Sequence, residues 1–178
     1  MKENSKYALR LFIRYLSLVL ITALGMEIIY SIFLPLTKYP PYFILNIFYN
    51  AILAGDMILI GNYHIEIIGA CVAGSAYYFL LVLNLSTAGI KPLLRIKMLL
   101  AAFGIFLFIN VSRIVVLSIM YVNDSPIFDI THKILWYAGS TIIVVGIWFF
   151  EVSFFRVKGI PFYTDLKKLY NLSSLKRK

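Results

Sequence analysis

MLLAAFGIFLFINVSRIVVLSIMY, running from Met98 to Tyr121, decides the fold. It carries a single charge, Arg113. A bilayer core about 30 Å thick needs roughly 20 apolar residues as a helix, and this stretch supplies them. Working outward, three further runs satisfy the same rule. Ile67–Ile90 follows with no charge, Ile134–Phe155 holds Glu151 near its end, and Tyr15–Leu34 is interrupted by Glu27. The whole chain agrees with this reading. Of 178 residues, 61% are hydrophobic and 14% charged, with a mean hydropathy of +0.87. Soluble domains run about 45–50% apolar and 25% charged, so an ordinary soluble domain and a disordered chain are both excluded. The net charge of +9 would suit nucleic acid, but the missing polar surface does not, and no nucleic-acid partner is expected. One cysteine, Cys71, allows neither an intrachain disulfide nor a Cys-cluster zinc site.

The expected architecture is an all-α membrane protein: a four-helix transmembrane bundle forming one domain over residues 1–178, with a basic cytoplasmic tail over 156–178. Phe43–Ala54 is apolar over only half the spanning length and reads as interfacial or re-entrant. Met57–Ile68 alternates Ile58, Ile60, Tyr63, Ile65 and Ile67 around Gly61-Asn62. This is the pattern of a short hairpin before the second span, or else the frayed start of that span. The N-terminal run reads as a signal anchor, being too long for a cleavable leader.

Basic residues set the orientation. Lys2, Lys6, Arg10 and Arg14 precede the first span; Lys91, Arg95 and Lys97 lie between the second and third. Arg156, Lys158, Lys167, Lys168, Lys176, Arg177 and Lys178 follow the fourth. Both termini and the 91–97 loop are therefore expected in the cytoplasm, with 35–66 and 122–133 outside. Attraction to anionic inner-leaflet lipid accounts for the tail at about 1 kcal/mol per basic residue.

Ionisable residues inside a membrane are costly and often mark function. Arg113 lies eight positions before Tyr121, roughly 12 Å below the outer end of its span at 1.5 Å per residue. Asn110, three residues earlier, shares its helix face. Cys71 falls about one turn into the second span, roughly 6 Å deep. His132 falls in the first turn of the fourth, where Asp129 or Thr131 would cap the helix. Three chemically capable side chains from three spans thus lie within about 12 Å of one membrane face. A thiolate nucleophile, an imidazole that takes and returns a proton and a guanidinium facing an oxyanion together describe acyl transfer. Taken singly, each has a plainer role. Cys71 is a small apolar residue, His132 an interfacial one, and Arg113 a partner for Glu27.

Three short motifs carry a resemblance: Ala70-Cys71-Val72-Ala73-Gly74, Asn110-Val111-Ser112-Arg113-Ile114, and His132 followed at seven positions by Gly139. Their order and spacing, with Ile65-Glu66-Ile67-Ile68 before the cysteine, resemble the exosortase/archaeosortase family of membrane transpeptidases over about residues 57–150. The chain departs from the common bacterial form, which has a Ser-Gly pair after the cysteine where Val72-Ala73-Gly74-Ser75 stands here. By the same resemblance it is expected to lack that form's additional N-terminal spans. Both departures point toward an archaeal-type or minimal member. The resemblance implies a cysteine protease/transpeptidase of the cell membrane acting at its outer face. Cys71, Arg113 and His132 are then catalytic, and Asn110 and Glu66 supporting. The implied substrate is a secreted protein ending in a short motif, a transmembrane helix and a basic tail. The implied acceptor is an amine-bearing molecule, a membrane lipid in archaeal members, and no metal or organic cofactor is implied. The competing expectation is a non-enzymatic assembly or transporter subunit, in which Glu27, Arg113 and Glu151 form a structural ion-pair network.

Overall fold

The computed structural model describes residues 2–157 and 159–172. The chain is mostly helical. In order, the elements are α1 (Lys2–Tyr49), β1 (Ile52–Ala54), β2 (Met57–Ile60), β3 (Tyr63–Glu66), α2 (Gly69–Val72) and α3 (Gly74–Ser86). These are followed by α4 (Pro92–Val122), α5 (Phe128–Ile134), a π-helical turn (Leu135–Gly139), α6 (Ser140–Phe154) and α7 (Tyr163–Leu172). Lys158 and residues 173–178 of the basic tail lie outside the described residues.

Among the described residues, three stretches are long and apolar enough to cross a membrane: Gly69–Ser86, Pro92–Val122 and Phe128–Phe154. They mark the chain as a membrane protein. Their ends differ from those expected. α4 opens at Pro92 rather than Met98, because proline is preorganised for the first helical position. The last span opens at Phe128 rather than Ile134, directly after the turn at Asp124-Ser125-Pro126. Asp129 and Thr131 therefore lie inside the helix. Its N-cap is Ile127, which makes no side-chain cap. Polar residues hid this first turn from a criterion based on apolar runs.

The first helix is the larger correction. α1 continues for 48 residues through Pro35, Pro40 and Pro41, about 72 Å at 1.5 Å per residue. Of the segment expected to be interfacial, residues 43–49 are its last turns and 52–54 are β1. Among the described residues its shorter apolar helical run is Leu11–Leu20.

The three strands form one antiparallel sheet in the order β1-β2-β3. Ile60 pairs with Tyr63 across Gly61-Asn62, and Gly61 takes the left-handed backbone, φ +57°, that such a turn requires. Met57–Glu66 is thus a hairpin, not a frayed helix, and the chain is not purely α. Its alternation seats it: Ile58, Ile60 and Ile67 are buried with Leu45 of α1 and Ile114 of α4. A second core surrounds Tyr77 of α3. Phe33 stacks on its ring at 3.8 Å, and Phe103 and Phe106 of α4 meet it edge-on. Val144 and Ile147 of α6 complete that core, so α1, α3, α4 and α6 pack together.

Candidate active site

Cys71 sits in a helical turn that the backbone cuts short. Ala73 has φ +55° and ψ +45°, a left-handed conformation that disfavours every residue with a Cβ by roughly 1–2 kcal/mol. The break separates α2 from α3. In an unbroken helix the Cys71 carbonyl would accept the N–H four residues on. Here Asn110 Nδ2 of α4 donates to it instead, at 2.9 Å. Asn110 is 3% exposed, so its amide replaces a backbone hydrogen bond that the break removes. The Cys71 N–H donates to Ile68 O at 2.8 Å, and its Sγ stands 4.0 Å from Glu66 O.

The small residues around the cysteine also have a steric reason. Tyr30 of α1 lies over this turn, and a Cβ at Gly74 would stand 3.1 Å from its ring. A larger residue there would displace Tyr30 and with it the wall beside Cys71.

Arg113 follows Asn110 by one turn of α4. Its Nη1 lies 3.5 Å from Ser140 Oγ, while its buried Nε has no hydrogen-bond partner among the described residues. His132 stands in α5 with its ring stacked on Phe128 at 5.6 Å and edge-on to Trp136 at 5.9 Å. His132, Trp136 and Ser140 recur every four residues. In a plain α-helix that spacing drifts around the axis. The π-helical turn Leu135–Gly139 widens the local turn and slows the drift. All three line one cavity.

That cavity, about 340 Å3, is where the site residues meet. Cys71, Arg113 and His132 all line it, with Tyr30, Trp136 and Ser140. A second cavity of about 280 Å3 shares Cys71, His132 and Trp136 with the first and extends along His64 to Ile68. Glu66 lines this second space. Its residue is exposed, and what approaches the thiol is its main-chain carbonyl. His64 borders the second cavity and not the first. Tyr30, Trp136 and Ser140 were not singled out from the sequence. An aromatic or a serine in an apolar run carries no signal until the helices are packed.

The expected ion-pair network is not formed. Among the described residues, Glu27, Arg113 and Glu151 make no ion pair with one another; the pairs present are Arg14–Asp165 and Lys38–Asp56. The reason is distance along the helix. Glu151 lies eleven residues beyond Ser140, the residue Arg113 reaches, which is about 16 Å at 1.5 Å per residue. Glu27 is exposed. Among the described residues no three His, Cys, Asp or Glu side chains converge on a metal site.

The arrangement offers a nucleophile, a proton carrier and a fixed cation around a space large enough for a peptide unit. No family model, curated protein or solved structure matches the chain.

Proposed function

We propose that the protein is a membrane-embedded cysteine transpeptidase of the exosortase/archaeosortase kind. The observation that carries this reading is the single cavity lined by Cys71, Arg113 and His132 from three separate elements. Cys71 attacks a substrate carbonyl through its sulfur, and His132 accepts the thiol proton. Arg113 faces the negative charge that develops on the carbonyl oxygen. As the tetrahedral intermediate collapses, the C–N bond breaks and His132 returns the proton to the leaving amine. A thioester on Cys71 remains. An acceptor amine then attacks that carbonyl, loses its proton to His132, and releases the thiol. Asn110 holds the Cys71 backbone throughout.

In this reading α1 supplies a fourth span over Tyr15–Leu34. The basic flanks then place both termini in the cytoplasm, and the sheet and cavity face outside. The substrate is a secreted protein with a C-terminal motif, transmembrane helix and basic tail; the acceptor is a membrane lipid. The non-enzymatic alternative depends on a Glu27–Arg113–Glu151 network, which has no counterpart among the described residues.

The test compares the C-terminal peptides of membrane and secreted proteins from host cells carrying the wild type or Cys71→Ser. A set of proteins should lose a C-terminal apolar helix and basic end only with the wild type. Identical C-termini in both strains, with the variant present at equal level, would overturn the proposal.

A further inference from the structure

The strand leading to Cys71 is a sheet edge. Among the described residues β3 pairs with β2 alone, in the register Ile60↔Tyr63, Leu59↔His64, Ile58↔Ile65 and Met57↔Glu66. Antiparallel pairs alternate between those that exchange hydrogen bonds and those that do not. The pair flanking a two-residue turn is hydrogen-bonded, so Ile60↔Tyr63 and Ile58↔Ile65 are the bonded pairs. Ile67 continues the pattern, its N–H 2.9 Å from Asp56 O. The N–H and C=O groups of His64 and Glu66 therefore point away from β2. Among the described residues no backbone hydrogen bond takes them up.

What lies beyond this edge is the second cavity. Its wall includes His64, Glu66 and Ile68 together with Cys71, His132 and Trp136. Cys71 Sγ, 4.0 Å from Glu66 O, sits against the same edge. Unpaired edges are templates for another strand, and strand addition supplies affinity through main-chain bonds with little regard for sequence.

We propose that β3 receives an extended peptide as a fourth strand, paired through His64 and Glu66, and that this pairing delivers the peptide's carbonyl to Cys71. The inference rests on the acyl-transfer reading above and names how its substrate is held. The physical need is clear. A helical segment keeps its amides in intrahelical bonds, and a carbonyl open to attack must leave them. Near a membrane an unpaired backbone group is costly, and the free edge of β3 compensates for that loss. His64 and Glu66, two residues apart, span about 7 Å, so alternate amides of the guest are engaged and the intervening ones are not.

The experiment uses the full-length protein in detergent. Cys71 is its only cysteine, so the intact-mass adduct that is absent from Cys71→Ser reads its alkylation. The probes are a side-chain-randomised tripeptidyl chloromethyl ketone, the same mixture N-methylated at one amide at a time, and chloroacetone as the warhead without a peptide. The peptidyl probe should label Cys71 faster than chloroacetone. N-methylation at alternate amides should remove about fivefold or more of that advantage, the worth of one backbone hydrogen bond, and methylation between them should not. His64→Pro deletes an outward N–H without deleting a β2–β3 bond. It should lower peptidyl labelling about fivefold relative to His64→Ala, with chloroacetone labelling equal in both. Indifference to N-methylation at every position, or no peptidyl advantage at all, would overturn the proposal even if His64→Pro failed to fold. Such indifference alongside Cys71-dependent C-terminal processing would remove the strand pairing and leave the transpeptidase. Alternating sensitivity with no C-terminal processing would remove the transpeptidase and leave the pairing edge.

Discussion

The two ends of the helical bundle bury charge in different ways. At the sheet end, Arg113 is half-buried, reaches Ser140 and opens on a cavity that Cys71 and His132 also line. Farther along α6, Glu151 is 1% exposed and neither carboxylate oxygen has a hydrogen-bond partner among the described residues. Asn84, deep in α3, likewise leaves its side-chain amide without one. The first end gathers a thiol, an imidazole and a guanidinium around one cavity. The second leaves the Glu151 and Asn84 side chains without partners among the described residues, while a cavity of about 570 Å3 there is lined by Arg14, Arg95, Asp165 and Lys168 and by no cysteine or histidine. A buried charge points to chemistry when a nucleophile and room for a substrate share its wall. Without them it is a desolvated group to be tolerated.

Four substitutions break or sharpen this contrast. The largest effect after loss of the thiol itself belongs to His132→Ala. A proton carrier contributes about 10²–10⁴-fold, and cleavage of a tagged substrate should fall by that order. His64, which borders the neighbouring cavity and not this one, should matter less. Processing kept in His132→Ala but lost in His64→Ala would reverse the assignment. Next comes Arg113→Lys. Lysine keeps the charge but offers one compact ammonium in place of a planar fork. At least about tenfold slower processing follows, a barrier change of only about 1.4 kcal/mol. Full activity would show that the fork is dispensable, whereas loss that tracks a collapse in melting temperature would favour a structural role.

Asn110→Ala should act on stability as well as rate. It leaves the Cys71 carbonyl without its partner, a cost of about 1–3 kcal/mol for a buried acceptor. A lower detergent melting temperature is expected together with slower processing. An unchanged melting temperature would mean that the break at Ala73 is not held by this bond. The smallest effect is expected from Glu151→Gln. Removing a formal charge that no partner compensates should leave processing at the wild-type rate and the melting temperature equal or higher. A loss of processing at unchanged stability would give the second end a role in the reaction.

Much of this fold was legible in the sequence because the bilayer imposes length. The uncharged run 67–90 and the run around Arg113 locate the second and third spans, although α4 opens six residues before Met98. The isoleucine alternation around Gly61-Asn62 fits a hairpin and a frayed helix start alike, and the pairing of β2 with β3 decides for the hairpin. Counting 1.5 Å per residue puts Cys71, Arg113 and His132 within about 12 Å of one membrane face, and all three line one cavity. What escaped depended on tertiary context. Pro35, Pro40 and Pro41 argue locally for a helix end, yet α1 passes through them to bury Leu45 against the sheet. β1 is three residues long and gains its partner only once β2 is present. An alanine gives no warning of a left-handed backbone. The break at Ala73 could not be foreseen, nor could the bond from Asn110 that depends on it. The gathering of Tyr30, Trp136 and Ser140 around Cys71 needed the helices in place.

The central claim is that Cys71 carries the substrate as a thioester while three residues act at one site. Hydroxylamine tests it most directly, since it attacks a thioester and leaves a hydroxamate at the new C-terminus. Membranes holding the wild-type protein and an intact, tagged substrate are incubated with and without hydroxylamine, and the mass of the released product is read. The account predicts a C-terminal hydroxamate that forms only with hydroxylamine and only when Cys71 is present. A free carboxylate under both conditions, or the same hydroxamate from Cys71→Ser, would contradict it.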